Sequence, residues 1–189
     1  TDTNADTSSD ADTNGDATAN GETITLTVGA TPNPHAEILA QVKDDLAAEG
    51  IDLVVKEYSD YVVPNTAVEE GDLDANYFQH KPYLDDFSAQ RGLKLASLVA
   101  VHIEPMGVYS KSVKAVAETP EGAKVAIPND PTNGGRALKV LETAGLIKLK
   151  DGVGVLATVA DVAENPKNLK FVEIEAAQLP RSLDDVALA

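Results

Sequence analysis

The sequence predicts an α/β protein with a largely parallel sheet, because short apolar strands alternate with amphipathic helices along the chain. The first strand is predicted at 24–28, where apolar residues alternate with threonine before Gly29. A helix is predicted at 36–49, since its apolar residues recur at helical spacing and Gly50 follows it. The apolar run at 51–57 then predicts the second strand.

The same alternation predicts the remaining elements of a first block, which extends to residue 103. In order, these are a helix from Pro64 to Gly71, a strand at 73–78, a helix at 81–91 and a longer apolar strand at 93–103. A second block begins near Pro105. Its predicted elements are strands at 106–110 and 124–128, a turn-rich loop at 129–135, a helix at 136–144, a short helix at 159–163 capped by Thr158, a strand at 169–174 and a helical stretch at 178–186.

Charge and composition exclude several classes of function. The 189 residues carry 31 acidic and 15 basic side chains, a formal charge of −16. Phosphate backbones need basic side chains to replace their counterions, so a nucleic-acid partner is not expected. The absence of cysteine excludes disulfides, thiolate metal sites and a cysteine nucleophile. The histidines at 35, 80 and 102 are far apart in the sequence, so an all-histidine metal site is not expected, and we predict neither metal nor cofactor.

The acidic charge is concentrated at the start of the chain. Residues 1–22 contain six of the acidic side chains, no basic one and no large apolar one. Such a segment buries too little apolar surface to offset the entropy of ordering it. We therefore predict that residues 1–22 are a disordered acidic tether, and a dispensable terminus is the alternative. No apolar run in the chain approaches the ~18 residues of a membrane span.

An aromatic cluster follows the third predicted strand. The segment 77–83 contains three aromatic residues and His80, although the whole chain has only five tyrosines and three phenylalanines. Ligands of parallel α/β sheets gather at the carboxyl ends of strands, which makes these side chains candidates for ligand contact. The alternative is that Phe78 and Tyr83 pack in the core while His80 lies at the surface. Tyr61 follows the second strand in an equivalent place, and packing is its alternative role too.

The turn-rich region 128–136 is the second candidate site. Its Asn, Asp, Thr and Gly residues can present free backbone N–H groups at a helix N-terminus, which suits a carboxylate. Arg136 adds a planar guanidinium that can bind a carboxylate through two hydrogen bonds. The alternative is that Asn133 caps the helix and Arg136 pairs with a surface acid. The region lacks the nucleotide-binding patterns GxxxxGK[ST] and GxGxxG, and no serine of the chain lies in a GxSxG elbow.

Seven motifs in the same order closely resemble the NlpA/MetQ family, the methionine-binding lipoproteins of ABC importers. They are YSDYVVPN at 58–65, GDLDANYFQHKPYL at 71–84, VAIPNDPTN at 125–133, GRAL at 135–138, GLIKLKDG at 145–152, ENPKNLK at 164–170 and QLPRSLDD at 178–185. The resemblance covers essentially residues 24–185. So many long motifs in one order make it highly specific.

The resemblance implies a periplasmic-binding-protein fold, type II-like, in which two α/β lobes joined by a hinge hold an amino acid between them. The lobes are expected at 23–104 and 105–189. The resemblance implies that Arg136 binds the substrate carboxylate, with Asn133 beside it. It also implies that the methionine side chain contacts four residues, namely Tyr61, Phe78, His80 and Tyr83. A polarizable thioether sits well against aromatic faces, which agrees with this assignment.

The resemblance also implies a non-enzymatic monomer that delivers methionine to the permease of an ABC transporter. Its expected location is the extracytoplasmic face of the cell membrane. It would be held there by an N-terminal lipid anchor that precedes the tether and is absent from this sequence. The alternatives are the same fold binding another amino acid or a methionine-containing dipeptide, and an α/β enzyme that acts on an amino acid with His80 as its base.

The family pattern continues beyond the motif at 178–185 with another strand, a ligand-contacting Asn and a return across the hinge. We therefore expect the C-terminal part of the fold to be missing and the first lobe to be incomplete. A 189-residue product is expected to bind methionine poorly or fold marginally, because a sheet edge and apolar surface would be exposed. Tight binding of methionine by that product in calorimetry would contradict this expectation.

Overall fold

The first half of the chain folds around a three-stranded parallel sheet in the computed structural model, which describes residues 23–189. The predicted tether at 1–22 lies outside the described residues. The strands are β1 (Ile24–Ala30), β2 (Ile51–Glu57) and β3 (Ala75–Tyr77), in the order β2–β1–β3. The helices are α1 (Glu37–Ala48), α2 (Val63–Glu70) and α3 (Lys81–Arg91). Because parallel strands share their direction, the segments containing Tyr61 and His80 leave β2 and β3 at the same edge.

The second half combines a two-stranded parallel sheet with a short antiparallel pair. Its strands are β4 (Lys124–Pro128), β5 (Lys148–Leu149), β6 (Val162–Glu164) and β7 (Lys170–Ile174). Strand β4 pairs with β7, and β5 pairs with β6. The helices are α4 (Pro131–Thr143) and α5 (Leu179–Ser182). Leu188 forms a parallel bridge with Val125, so both edges of β4 have a backbone neighbour.

The main apolar core lies between α4 and β4. Leu138 and Leu141 of the helix pack with Val125 and Ile127 of the strand, and each of these four side chains is at most 3% exposed. Leu188, at 1% exposure, completes this packing. Burial of such side chains contributes roughly 1.5–3 kcal/mol each, so α4 is held firmly against the sheet. The residues of its first two turns therefore have fixed positions.

The predicted strand at 93–103 is wrong. Within residues 23–189 this segment pairs with no strand, and its large apolar side chains from Leu98 onward are exposed, Ile103 by 91% and Leu98 by 87%. A strand needs a neighbour that supplies hydrogen-bond partners, and an apolar run does not encode that neighbour. The predicted strand at 106–110 is also wrong, although Tyr109 exchanges two backbone hydrogen bonds with Ala189, at 2.8 and 3.0 Å.

The predicted loop at 129–135 is wrong because α4 already begins at Pro131. Asp130 caps the helix: its Oδ1 accepts hydrogen bonds from the Asn133 backbone N–H at 2.8 Å and from Thr132 Oγ1 at 2.9 Å. Proline is compatible with the first helical turn, where its missing N–H has no partner to lose. Asn133 therefore lies inside the helix, and the alternative role of Asn133 as the cap is wrong.

The last elements are shorter than the sequence predicts. A 3-10 turn at Val159–Asp161 replaces the predicted short helix, and Thr158 forms a capping box with Asp161 at its start. Strand β6 follows at once and pairs with β5, a pairing that the sequence did not predict. The predicted helical stretch at 178–186 is reduced to α5. Short elements of this kind depend on contacts distant in sequence, which local patterns do not show.

A buried amide on α2 links that helix to the segment after β3. Asn65 is fully buried, and its Oδ1 accepts hydrogen bonds from Gln79 Nε2 at 2.6 Å and from Asn76 Nδ2 at 2.9 Å. Its own Nδ2 donates to Gln79 Oε1 at 2.9 Å. This network fixes the backbone immediately before His80.

Replacing Asn65 with alanine is expected to lower the free energy of unfolding by about 2 kcal/mol, because the amides of Asn76 and Gln79 lose their buried partner. The control is Thr66→Ala on the same helix, which removes only an exposed hydrogen bond to the Val63 carbonyl and is expected to change stability by less than about 0.5 kcal/mol. Urea unfolding followed by circular dichroism measures both. Equal stabilities of the two variants would contradict the role of the network.

Candidate functional site

A cavity of about 420 Å³ lies between the two halves of the molecule. Its volume is within the range of roughly 300–1,000 Å³ typical of small-molecule sites. The side chains that matter for its chemistry are Tyr61, Glu104, Met106, Asn133, Arg136 and Leu179. Because Tyr61 belongs to the first half and Arg136 to the second, a ligand in the cavity would contact both.

Arg136 contributes a positive charge to the cavity wall. Its Nη1 donates to Asn133 Oδ1 at 3.0 Å and its Nη2 donates to the Glu104 carbonyl at 3.3 Å. Asn133 is held in turn, because its Nδ2 donates to Asp130 Oδ2 at 3.1 Å. Among the described residues, no side-chain carboxylate oxygen of an Asp or Glu lies within 4 Å of the guanidinium. The alternative of a pair with a surface acid is therefore wrong, and the charge is available to an anionic ligand.

An aromatic cluster stands behind the cavity on the side of the first half. The ring of Tyr61 lies 5.6 Å from that of Phe78 and 6.0 Å from that of Tyr83, and the Tyr83 hydroxyl donates to the Tyr61 carbonyl at 3.2 Å. Phe87 stacks on Tyr83 at 5.6 Å. Burial raises the pKa of Tyr83, and burial followed by the charges of Glu104 and Asp130 raises the pKa of Tyr61. Both phenols are therefore neutral and present apolar ring faces.

His80 is the N-cap residue of α3 and lies between Phe78 and Tyr83 of the aromatic cluster in the sequence. Its Nε2 is buried and has no hydrogen-bond partner in the described part of the chain. Burial lowers the pKa of His80, the positive charge of Arg136 lowers it further, and Asp130 acts in the opposite direction. The imidazole is therefore neutral at pH 7.

The lowered pKa of His80 predicts a pH dependence of stability. An unfolded histidine takes up its proton near pH 6.5, whereas native His80 does so at lower pH. The unfolded chain then binds more protons below about pH 6.5, so the free energy of unfolding falls as the pH decreases through this window. The variant His80→Gln is expected to show a flatter dependence between about pH 5 and 7 in urea unfolding. Identical slopes for the two proteins would contradict a lowered pKa.

The structure brings only part of the predicted site onto the cavity wall. Three of the six predicted residues line it, namely Tyr61, Asn133 and Arg136. In the part of the chain that the structure describes, Phe78, His80 and Tyr83 do not line the cavity. Phe78 and Tyr83 instead pack against Tyr61, and each is less than 10% exposed.

Sequence reasoning missed Glu104, which also lines the cavity. Its side chain is half exposed and lies beside His35 and His102, with Oε1 at 3.6 Å and 2.9 Å from their Nε2 atoms. The only signal near Glu104 is its position before Pro105, at the boundary between the two blocks. The proximity of His35 and His102 had no signal in the sequence, because 66 positions separate them.

Solved structures with this fold include a substrate-binding protein and a nutrient-binding protein. A periplasmic substrate-binding protein of an ABC transporter from Coxiella burnetii matches with a TM-score of 0.81 and 44% identity, covering 87% of this chain and 69% of that one. A nutrient-binding protein from Burkholderia cenocepacia, solved bound to methionine, matches with a TM-score of 0.80 and 51% identity, covering 87% and 70%. The predicted α/β fold of a substrate-binding protein is confirmed.

The family model of the NlpA lipoproteins matches residues 26–189, and the chain belongs to this family. The D-methionine-binding lipoprotein MetQ of Escherichia coli K12 is 54% identical over 154 residues, which are 82% of this chain and 56% of that protein. The chain thus spans about half the length of the curated relatives it matches. Within residues 23–189, no helix combines the length and apolar character needed to cross a bilayer.

Proposed function

We propose that this chain carries much of the ligand site of an extracytoplasmic protein that captures methionine and passes it to an ABC import permease. The observation that supports this most is the guanidinium of Arg136, which lies on the wall of a cavity without a carboxylate partner among the described residues. Methionine as the ligand is supported by the name of the relative from E. coli and by the methionine-bound structure from B. cenocepacia.

Arg136 binds the methionine carboxylate through two parallel hydrogen bonds in this proposal. A bidentate charge-assisted pair is stronger than a neutral hydrogen bond and fixes the orientation of the ligand. Asn133 acts beside it, since its Oδ1 already accepts from Nη1 while Asp130 holds its amide. The chain of contacts from Asp130 to Arg136 keeps the guanidinium in place before the ligand arrives, which lowers the ordering cost of binding.

The aromatic cluster provides the surface for the methionine side chain. Tyr61 contacts the thioether directly from the cavity wall, and sulfur–aromatic contacts contribute about 0.3–1.5 kcal/mol. Phe78 and Tyr83 pack behind Tyr61 and complete the apolar pocket. His80 adds its neutral ring and a buried Nε2 that has no hydrogen-bond partner among the described residues.

Membership of the lipoprotein family supports a wider role for the chain. The two lobes correspond to residues 23–104 and 105–189, and the cavity lies between them. The protein is proposed to be a monomer that works without a cofactor, catalyses no reaction and binds no nucleic acid. Its partner is the permease of an ABC transporter. A lipid anchor ahead of the segment 1–22 holds it at the extracytoplasmic face of the cell membrane, as the lipoprotein family indicates.

Native mass spectrometry of the intact protein, purified without added ligand, tests this function. The expected spectrum contains a species heavier by one methionine, which converts to the free protein on dialysis and re-forms when L- or D-methionine is added. Methionine recovered unchanged after incubation is expected for a binding protein, and its consumption would favour the enzyme alternative. A protein that binds neither enantiomer at a large excess would contradict the proposal.

A further inference from the structure

Three potential metal-binding side chains converge beside the cavity. His35 lies in the turn after β1, whereas His102 and Glu104 belong to the segment that joins the two halves. The Nε2 atoms of the two histidines lie 3.6 and 2.9 Å from Glu104 Oε1. One donor atom from each of the three side chains lies within 4.8 Å of the others. This cluster is separate from the residues assigned to methionine, except that Glu104 also lines the cavity.

Both imidazole rings are oriented by hydrogen bonds at their other nitrogen. His35 Nδ1 is 2.7 Å from Thr31 Oγ1, and His102 Nδ1 is 2.6 Å from the Tyr77 hydroxyl. Tyr77 also packs against the His35 ring in an edge-to-face contact at 4.8 Å. Histidines that bind metals are commonly oriented in this way, because a partner on one ring nitrogen fixes the lone pair of the other.

His35 provides a second, independent observation. The residue is only 6% exposed, yet its Nε2 has no hydrogen-bond partner in the described residues, since 3.6 Å to Glu104 exceeds hydrogen-bond distance. Its neighbours Glu104 and His102 present one carboxylate oxygen and one further imidazole nitrogen to the same point. An ion at that point would satisfy all three.

The geometry points to a site for Zn²⁺ or a similar divalent transition-metal ion, held by His35 Nε2, His102 Nε2 and Glu104 Oε1. Two imidazoles and a carboxylate are a common zinc donor set, and the fourth position is then open to water. Zinc bonds of about 2.0–2.1 Å place tetrahedral ligand atoms about 3.3 Å apart, between the two measured distances. His102 binds the ion as the neutral tautomer that carries its proton on Nδ1, where the Tyr77 hydroxyl oxygen 2.6 Å away can accept it, and Nε2 then has a free lone pair.

Titration of the intact, chelator-treated protein with Zn²⁺ alone tests this site by calorimetry. One ion per protein is expected to bind, and Mg²⁺, which prefers oxygen ligands, is expected not to compete. The variants His35→Ala and His102→Gln are each expected to weaken Zn²⁺ binding by roughly 10–100-fold or more. Loss of a group that only hydrogen-bonds to a metal ligand already has an effect of this size, and these variants remove a ligand itself. His80→Gln, which changes the third histidine, is the matched control and is expected to retain the affinity of the unaltered protein.

Circular dichroism of each variant establishes that it is folded. If His35→Ala unfolds, His102→Gln still tests the site, because His102 is exposed and its replacement disturbs no core packing. Absence of Zn²⁺ binding by the unaltered protein would overturn the proposal. So would an affinity that His102→Gln leaves unchanged, or one that His80→Gln weakens equally. Methionine is left out of these titrations, so their outcome does not depend on the proposed function.

Discussion

Replacing Arg136 with alanine is expected to weaken methionine binding by the intact protein by about 100-fold or more. Truncating one partner of a hydrogen-bonded charge pair costs about 2–5 kcal/mol, and each 1.4 kcal/mol is a factor of ten in affinity. Arg136 is the one group on the described cavity wall that carries a positive charge. Without it the ligand carboxylate would lose its ordinary hydration and receive no equivalent partner.

Isothermal titration with methionine measures this effect. The variant Arg136→Lys keeps the charge but not the planar pair of donors, so an intermediate affinity is expected. The control Arg91→Ala removes an arginine from the end of α3, where it lies over the Phe87 ring at 4.6 Å and away from the cavity wall. That variant is expected to bind as the unaltered protein does. An Arg136→Ala variant with unchanged affinity would remove Arg136 from the site.

Replacing Gly135 with alanine is expected to destabilise the protein by about 2–3 kcal/mol, since overpacking against rigid neighbours costs this much. A Cβ atom at this position would lie 2.0 Å from the Val155 carbonyl oxygen and 3.1 Å from the Ala157 nitrogen. These are backbone atoms, so no side-chain rotation relieves the clash. Helix α4 or the segment around Val155 must move, which would also displace the neighbouring Arg136.

The matched control is Gly154→Ala, one residue before Val155. A Cβ atom there meets nothing within 4 Å. Its stability is expected to change little or to rise slightly, because alanine restricts the unfolded chain. Urea unfolding of both variants gives the comparison, and calorimetry shows whether methionine affinity falls in Gly135→Ala. Equal stabilities of the two variants would show that the close approach at Gly135 is absent in solution.

The parts of the fold that the sequence predicted well are those with strong local signals. The strand Ile51–Glu57, the helix Lys81–Arg91 and the strand Lys124–Pro128 have the predicted bounds at both ends. The first turn of α4 was missed because Gly134 and Gly135 suggest a loop. The structure supplies the reason for glycine at 135, which is the close approach of the Val155 backbone and not a turn.

The segment 93–103 shows the limit of apolar patterns. Its composition favours a strand, but a strand also needs a neighbour, and none of the described residues pairs with it. The same limit applies to the site. Motifs pointed to Tyr61, Asn133 and Arg136, which line the cavity, whereas Glu104 and its neighbour His35 come together only through the tertiary fold. The ligand contacts of all six predicted residues remain predictions.

The proposed function depends above all on recognition of the methionine carboxylate by Arg136. Calorimetry with two ligands tests this recognition. The ligands are methionine and methioninol, in which a hydroxymethyl group replaces the carboxylate. Each is titrated into the unaltered protein and into Arg136→Ala. The unaltered protein is expected to prefer methionine by about 100-fold, and the variant is expected to lose most of this preference, since the two changes remove the same interaction. Equal affinities of the unaltered protein for both ligands, or a preference that survives in Arg136→Ala, would contradict the account.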